Sequence, residues 1–333
     1  MIEVHEITKT YAIPEKARGA FGGIRSLFKR KYKHVTALDR ISFSIAKGEL
    51  IGYIGPNGAG KSTTVKILSG ILNPDSGSCT VGGFVPWKNR KAYVRNIGVV
   101  FGQRTQLWWD LPVSDSFSLL KDIYGVPDAE FKRNLETMVE LLSLGPFIDT
   151  PVRNLSLGQR MRCDLAASLL HSPRLLFLDE PTIGLDAVAK FAVRDFVKRV
   201  NETLETTVIL TTHDMDDIEA LASRILIIGE GRIAFDGSIG ALRTSVPALR
   251  YMVLDFPNAC EAADFSRSII NLHGADLIDI QGGRVRMAFD PRVLAPQTLV
   301  RDIMDQHLFT DISIEHPPIE ELIARLYKER LGQ

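Results

Sequence analysis

The sequence predicts an α/β fold, a sheet covered on both faces by helices around a phosphate-binding loop, followed by a smaller α+β domain. Three observations predict it. Short apolar runs alternate with longer amphipathic segments through residues 1–242. Leu175-Leu176-Phe177-Leu178 and Val208-Ile209-Leu210 are apolar throughout, as strands buried on both faces must be. Gly55-Pro56-Asn57-Gly58-Ala59-Gly60-Lys61-Ser62 fits the pattern G-x-x-x-x-G-K-[ST] between an apolar run and a helical segment.

In chain order, strands are expected over 2–7, 41–45, 50–54, 77–81, 97–100, 175–178, 207–211, 224–228 and 232–236. The phosphate loop feeds a helix at 63–72, and 113–170 reads as a mostly helical subdomain rich in Leu, Lys and Glu, closing with a helix at 160–170. Residues 237–247 form the junction between domains over 1–242 and 248–333. The second domain restarts the pattern with a strand at 250–256, a helix at 262–272, strands at 276–280 and 284–289, a helix at 296–305, a strand at 309–314 and a helix at 319–331. Gly282-Gly283 suits the hairpin turn, and the β-α-β-β-α-β order fits a ferredoxin-like arrangement. His273 and His307 in this part read as surface or structural histidines rather than ligands.

Forty basic residues balance forty acidic ones, so no global field draws the chain to nucleic acid or anionic membrane. Cys79, Cys163 and Cys260 stand apart from any metal-ligand spacing and read as isolated thiols. No secretory leader is read at the start, where Glu3, His5 and Glu6 interrupt the apolar run. No segment approaches ~18 consecutive apolar residues. A cytoplasmic protein is expected, with any membrane role exercised through partners. An insertion at about 14–34 carries Lys16, Arg18, Arg25, Lys29, Arg30, Lys31 and Lys33 against Glu15 alone, with Phe21, Ile24, Leu27 and Phe28 at helical spacing. A solvated loop, a contact with a membrane surface and a contact with nucleic acid all fit it. No other basic stripe supports the last, and no nucleic-acid partner is expected.

The chemistry concentrates at a few positions. Glycines let the 55–60 loop aim successive N–H groups at an anion, and the following helix adds its positive end. Lys61 can then reach the β- and γ-phosphates of ATP, and the Ser62 hydroxyl suits Mg²⁺. The strand ending in Asp179-Glu180 delivers Asp179 to the Mg²⁺ shell and Glu180 to the attacking water as general base. His213, at the end of another strand, can contact the γ-phosphate or that water, and Gln103 follows the 97–100 strand near the metal; neighbouring Gln106 is the second choice. Leu155-Ser156-Leu157-Gly158-Gln159 opens a further helix and forms a second anion cradle. One nucleotide needs one cradle. A spare one makes sense if it meets the ATP of another copy, which predicts a head-to-tail dimer enclosing two ATPs.

Over 1–242 the chain resembles the ATP-binding subunit of ABC transporters. Asn57, Gly58, Gly60, Lys61, Ser62 and Thr63 fall in what resembles the Walker A loop, and Leu178 to Glu180 resembles the end of Walker B. Ser156, Gly158 and Gln159 match the signature sequence, which departs from the commonest form in having Leu157 where glycine is usual. Thr182 to Asp186 resembles the D-loop, Gln103 the Q-loop glutamine and His213 the switch histidine. Tyr11 matches the aromatic that stacks on adenine. The resemblance implies ATP and Mg²⁺ as cofactors, with Ser62, Asp179 and Gln103 around the metal. It also implies a homodimer or heterodimer of ATPase subunits, and permease subunits that contact 103–112, lying on the inner face of the cell membrane. Trp108-Trp109 cannot both face one core in an extended segment, so anchoring of such a partner and domain packing both fit them. Segments 87–109, 176–186 and 311–315 look like the ATPases of drug- and viologen-type exporters that work with separate six-helix permeases. An importer ATPase and a soluble ATPase switch acting on ribosomes or nucleic acid are the other readings; the single phosphate loop and the lack of a coiled-coil insertion speak against the second.

Overall fold

The computed structural model describes residues 1–14, 32–102, 104–245, 249–269 and 274–331. It divides into two compact units, Met1–Ser238 and Ile239–Gln333.

In the first unit the central sheet has the order β5-β6-β7-β3-β8-β9. Its strands are β3 (Leu50–Ile54), β5 (Ile97–Phe101), β6 (Leu175–Asp179), β7 (Thr207–Thr211), β8 (Arg224–Gly229) and β9 (Arg232–Gly237). All neighbours are parallel except β8 and β9. Every residue of β3 and β7 is buried, including Thr207 and Thr211, which flank the apolar Val208–Leu210. The register pairs Asp179 with Phe101 and with Thr211, so the carboxyl ends of β5, β6 and β7 finish level. Ligands of open parallel sheets bind outside those ends.

A second, antiparallel sheet has the order β2-β1-β4, from β1 (Ile2–Pro14), β2 (Tyr32–Ile45) and β4 (Ser76–Val81). β1 and β2 run well beyond the expected 2–7 and 41–45, pairing out to Ile13 with Lys33 and Pro14 with Tyr32. Their outer halves are half-buried to exposed, with Ile13, Tyr32 and Val35 among the exposed apolar side chains, and pairing with each other, rather than apolar alternation, makes them strands. Pro14 and 32–34 therefore belong to this ribbon; the rest of the basic insertion lies outside the described residues.

The helices are α1 (Lys61–Leu68), α2 (Arg90–Val94), α3 (Val113–Tyr124), α4 (Asp128–Leu141), α5 (Leu157–Leu169), α6 (Ala187–Leu204) and α7 (Met215–Leu221). α1 begins two residues before the expected 63 because left-handed Gly60 ends the loop, and stops at Leu68 where Gly70 again takes positive φ. α5 starts at Leu157 instead of 160. Ser156 caps it, with Gln159 reaching back to the Ser156 N–H, so the helix begins at the cap.

The second unit opens with α8 (Ile239–Ser245) and continues β10 (Arg250–Asp255), α9 (Ala259–Ile269), β11 (Ala275–Gln281), β12 (Arg284–Phe289), α10 (Pro296–Met304), β13 (Asp311–Glu315) and α11 (Ile319–Leu331). The antiparallel sheet order β11-β12-β10-β13 is the ferredoxin-like order the sequence implied. Its core joins Met252, Leu254, Phe265, Met287, Phe289, Leu299 and Ile303. α9 starts earlier than 262 because Asn258 Oδ1 accepts from the Glu261 N–H at 3.0 Å. His307 packs edge-on against Phe265, and His273 lies outside the described residues.

Candidate functional site

The 55–60 loop leaves β3 and turns into α1. Gly58 and Gly60 hold φ of 83° and 111°, and a Cβ on Gly60 would lie 2.5 Å from the Ala37 carbonyl oxygen. Only glycine fits there. Lys61 Nζ donates to the Gly55 carbonyl at 2.6 Å and to the Pro56 carbonyl at 3.1 Å, so its ammonium is held inside the loop's curve. The residue is 7% exposed. Burial pulls its pKa down, against the nearby carboxylates of Glu180 and Asp179, which pull it up.

β6 brings those carboxylates to the same place. Thr211 Oγ1 donates to Asp179 Oδ1, fixing one carboxylate oxygen. Glu180 adopts left-handed backbone, φ 54°, and its N–H donates to the Thr211 carbonyl at 2.9 Å. A non-glycine residue in this region carries strain that the surroundings must hold, a common trait of functional positions. Gly102 approaches it so closely that a Cβ would lie 1.9 Å from the Glu180 carbonyl oxygen. His213 Nδ1 stands 3.6 Å from Glu180 Oε1. Asn57, Ser62, Lys66, Asp179, Glu180 and His213 are among the residues lining one cleft of about 710 Å³. The Tyr11 hydroxyl lies 3.4 Å from Thr63 Oγ1, one residue past Ser62. Gln103 lies outside the described residues. Gln106 turns to the signature helix instead, donating through Nε2 to the Asp164 carbonyl at 2.9 Å.

Ser156, Gly158 and Gln159 are elsewhere. With Gly184, Leu185, Asp186 and Ala189 they line a recess of about 320 Å³ that shares no lining residue with the cleft. Gln159 N–H donates to Ser156 Oγ at 3.2 Å and Ser156 N–H to Gln159 Oε1 at 2.9 Å, so both side chains are engaged in capping.

Behind the cleft lies a polar cluster that sequence reasoning missed. Asp217, fully buried on α7, accepts from Thr182 Oγ1, from Thr212 Oγ1 at 3.2 Å and from Arg194 Nε at 2.5 Å. It ties the segment after Glu180, the segment before His213 and α6 together. Asp214 pairs with Lys190 and caps α7 by accepting from the Asp216 N–H at 3.1 Å. In the sequence, Asp214, Asp216 and Asp217 look like an acidic, solvated helix start; only the fold separates their roles.

The donors fit magnesium-bound triphosphate. Ser62 and Asp179 offer hard oxygen ligands in one cleft, and Mg²⁺ takes few protein ligands when phosphates supply the rest. Among the described residues no cluster of three or more His, Cys, Asp or Glu can hold a metal by itself. A glycine-rich loop curved around a buried lysine, with two consecutive carboxylates at the end of a parallel strand, defines a phosphate-loop ATPase.

Residues 38–183 match the family model described as ABC transporter. The linearmycin resistance ATP-binding protein LnrL of Bacillus subtilis is 37% identical over 210 residues, 63% of this chain and 67% of that protein. The methionine import ATP-binding protein MetN of Geobacillus kaustophilus is 32% identical over 243 residues, 72% of this chain and 66% of its own. The dimeric post-hydrolysis structure of the cassette MJ0796 with ADP and phosphate superposes with a TM-score of 0.59 at 24% identity, covering 72% of this chain and 99% of that one. The chain therefore belongs to the ABC transporter family of ATP-binding proteins and is an ATP-hydrolysing enzyme. Among the described residues no helix is long and apolar enough to cross a membrane.

Proposed function

We propose that this chain powers export through a separately encoded permease as one half of an ATPase dimer. The observation that carries the dimer is the separation of two half-sites. Asn57, Ser62, Asp179, Glu180 and His213 line one cleft, whereas the signature cradle opens into another. In a head-to-tail pair each cradle meets the partner's cleft, and both become complete. Export is favoured by the resemblance to drug-type ATPases and by relatives such as LnrL, which is named for resistance; MetN, named for import, keeps the other direction as a second reading.

In this reading Asn57, Gly58, Gly60 and Thr63 cradle the phosphates through the loop and helix start, while Tyr11 stacks on adenine. Lys61 neutralises β- and γ-phosphate charge. Ser62, Asp179 and Gln103 would hold Mg²⁺, which would supply further charge neutralisation when bound. Glu180 accepts the proton of the attacking water, and His213, 3.6 Å from the Glu180 carboxylate, orients the same group. From the partner, Ser156, Gly158 and Gln159 supply N–H groups and a helix N-terminus. The permease docks at 103–112, where Trp108 and Trp109 are 39% and 51% exposed; aromatic anchors of this kind dominate docking energetics. That contact keeps the protein peripheral on the inner membrane face.

Glu180→Gln tests the chemistry. It preserves shape and hydrogen bonding but cannot take a proton, so ATP binding should persist while turnover falls at least about a hundredfold. Near-normal turnover would remove Glu180 as base.

A further inference from the structure

The loop after β5 is fastened to the signature helix by one buried carboxylate. Asp164 of α5 is 4% exposed. Its Oδ1 accepts from Thr105 Oγ1 at 2.9 Å and from the Gln106 N–H at 3.0 Å, and Gln106 Nε2 returns to the Asp164 carbonyl at 2.9 Å. The fastening continues outward. Leu107 N–H donates to Thr105 Oγ1 at 3.1 Å, Arg160 of α5 lies over the Trp109 ring at 5.6 Å, and Arg153 N–H donates to the Trp109 carbonyl at 3.0 Å. The loop thus runs from the cleft, where Gly102 and Arg104 form part of the lining, to the exposed tryptophans, and it is pinned to α5 between the two. A buried aspartate in a helix costs desolvation, so an apolar residue would pack here more cheaply unless its oxygens were used.

We propose that Asp164 is a positioning residue for hydrolysis: it latches the segment Thr105–Leu107 to α5, so that the loop beside the cleft and the Ser156 cradle move as one body. Displacement of the tryptophan end then shifts the cradle and the cleft-side loop together, which gives a docked permease a grip on closure. The inference rests on the roles given above to Ser156 and the cleft. The latch needs acceptor geometry and not charge, because both donors, a threonine hydroxyl and a backbone N–H, are neutral.

The test is a split between binding and turnover in the full chain, with ATP as the probe. Asp164→Ala and the milder Thr105→Val should each lower kcat, by about tenfold for the first, equivalent to about 1.4 kcal/mol in the barrier. KM for ATP should stay within twofold, and Asp164→Asn, which keeps an acceptor oxygen, should restore most of kcat. A purely structural role would lower thermal stability without the kcat-only loss and without the rescue by asparagine. The proposal is overturned if folded Thr105→Val and Asp164→Ala turn over at the wild-type rate, if KM rises as much as kcat falls, or if Asp164→Asn is as slow as alanine. Ser156→Arg, assayed beside them, separates two failures. If it is inactive while Asp164→Ala is normal, the latch alone fails. If it is fully active, the reading of the cradle fails and takes the latch with it.

Discussion

Asp217→Ala is the substitution whose cost the structure sets most clearly. The carboxylate is fully buried and accepts from Thr182, Thr212 and Arg194. Removing it leaves two hydroxyls without their acceptor and leaves Arg194, whose side chain is 21% exposed, with only a 3.5 Å contact to Asp214. Breaking a buried pair by deleting one partner costs about 3–5 kcal/mol. Partial access of water to Arg194 places the loss at the lower end, about 3 kcal/mol. For a unit the size of Met1–Ser238, that lowers the midpoint of thermal unfolding by about 6–12 °C. Asp217→Asn keeps an acceptor for the threonines and should lose roughly half as much. Calorimetry or circular dichroism on the three proteins reads the series. A midpoint for Asp217→Ala within about 2 °C of wild type would refute the cluster as the tie between the segments that follow Glu180 and precede His213.

Lys61→Ala should weaken ATP binding and reduce turnover by about a hundredfold or more, since a charge preorganised on the phosphates is lost; titration with a fluorescent ATP analogue and a phosphate-release assay check both. Gly60→Ala meets the Ala37 carbonyl at 2.5 Å in a left-handed conformation, so nucleotide binding should disappear and the folded state should lose about 1–3 kcal/mol. Burial pushes the Asp164 carboxyl up to about 6, outweighing the bonds from Gln106 and Thr105 and the pull of Arg160. A carboxyl raised in the folded state binds its proton more tightly there than when unfolded, so its burden is relieved as pH falls through 6 and is full above it. Asp164→Asn should therefore be more stable than wild type at pH 7.5, by up to about 3 kcal/mol, with the difference shrinking toward pH 4.5. Parallel melting curves at the two pH values decide it, and a difference that grows on acidification would be the wrong sign.

The inner strands were legible because burial on both faces leaves an unmistakable apolar run, as in Leu175–Leu178 and Val208–Leu210. The β11–β12 hairpin was legible through Gly282-Gly283, whereas the division at Ser238 was not, because the helix Ile239–Ser245 fell across the expected end of the first domain at 242 and the junction. The outer ribbon of β1 and β2 was not, because exposed strands such as Lys33 to Thr36 carry no face-to-face alternation and owe their form to a partner elsewhere in the chain. The start of α5 was readable in principle, since Ser156 and Gln159 have capping-box spacing. At the site, motif spacing singled out Ser62, Asp179, Glu180 and His213, which line one cleft, and Lys61, whose ammonium is held by the Gly55 and Pro56 carbonyls. Asp164 and Asp217 escaped notice because an acidic residue on a helix reads as solvated. Only tertiary packing shows that each is buried against hydroxyls and N–H groups from distant segments.

The central claim is that the Ser156 cradle completes the ATP site of a second copy. It is tested most directly by sizing Glu180→Gln protein with and without MgATP, alone and combined with Ser156→Arg. The account predicts ATP-dependent dimers for Glu180→Gln and monomers that still bind ATP for the double variant, because an arginine side chain fills the cradle that must receive the partner's phosphate. Equal dimer formation in both proteins would contradict it.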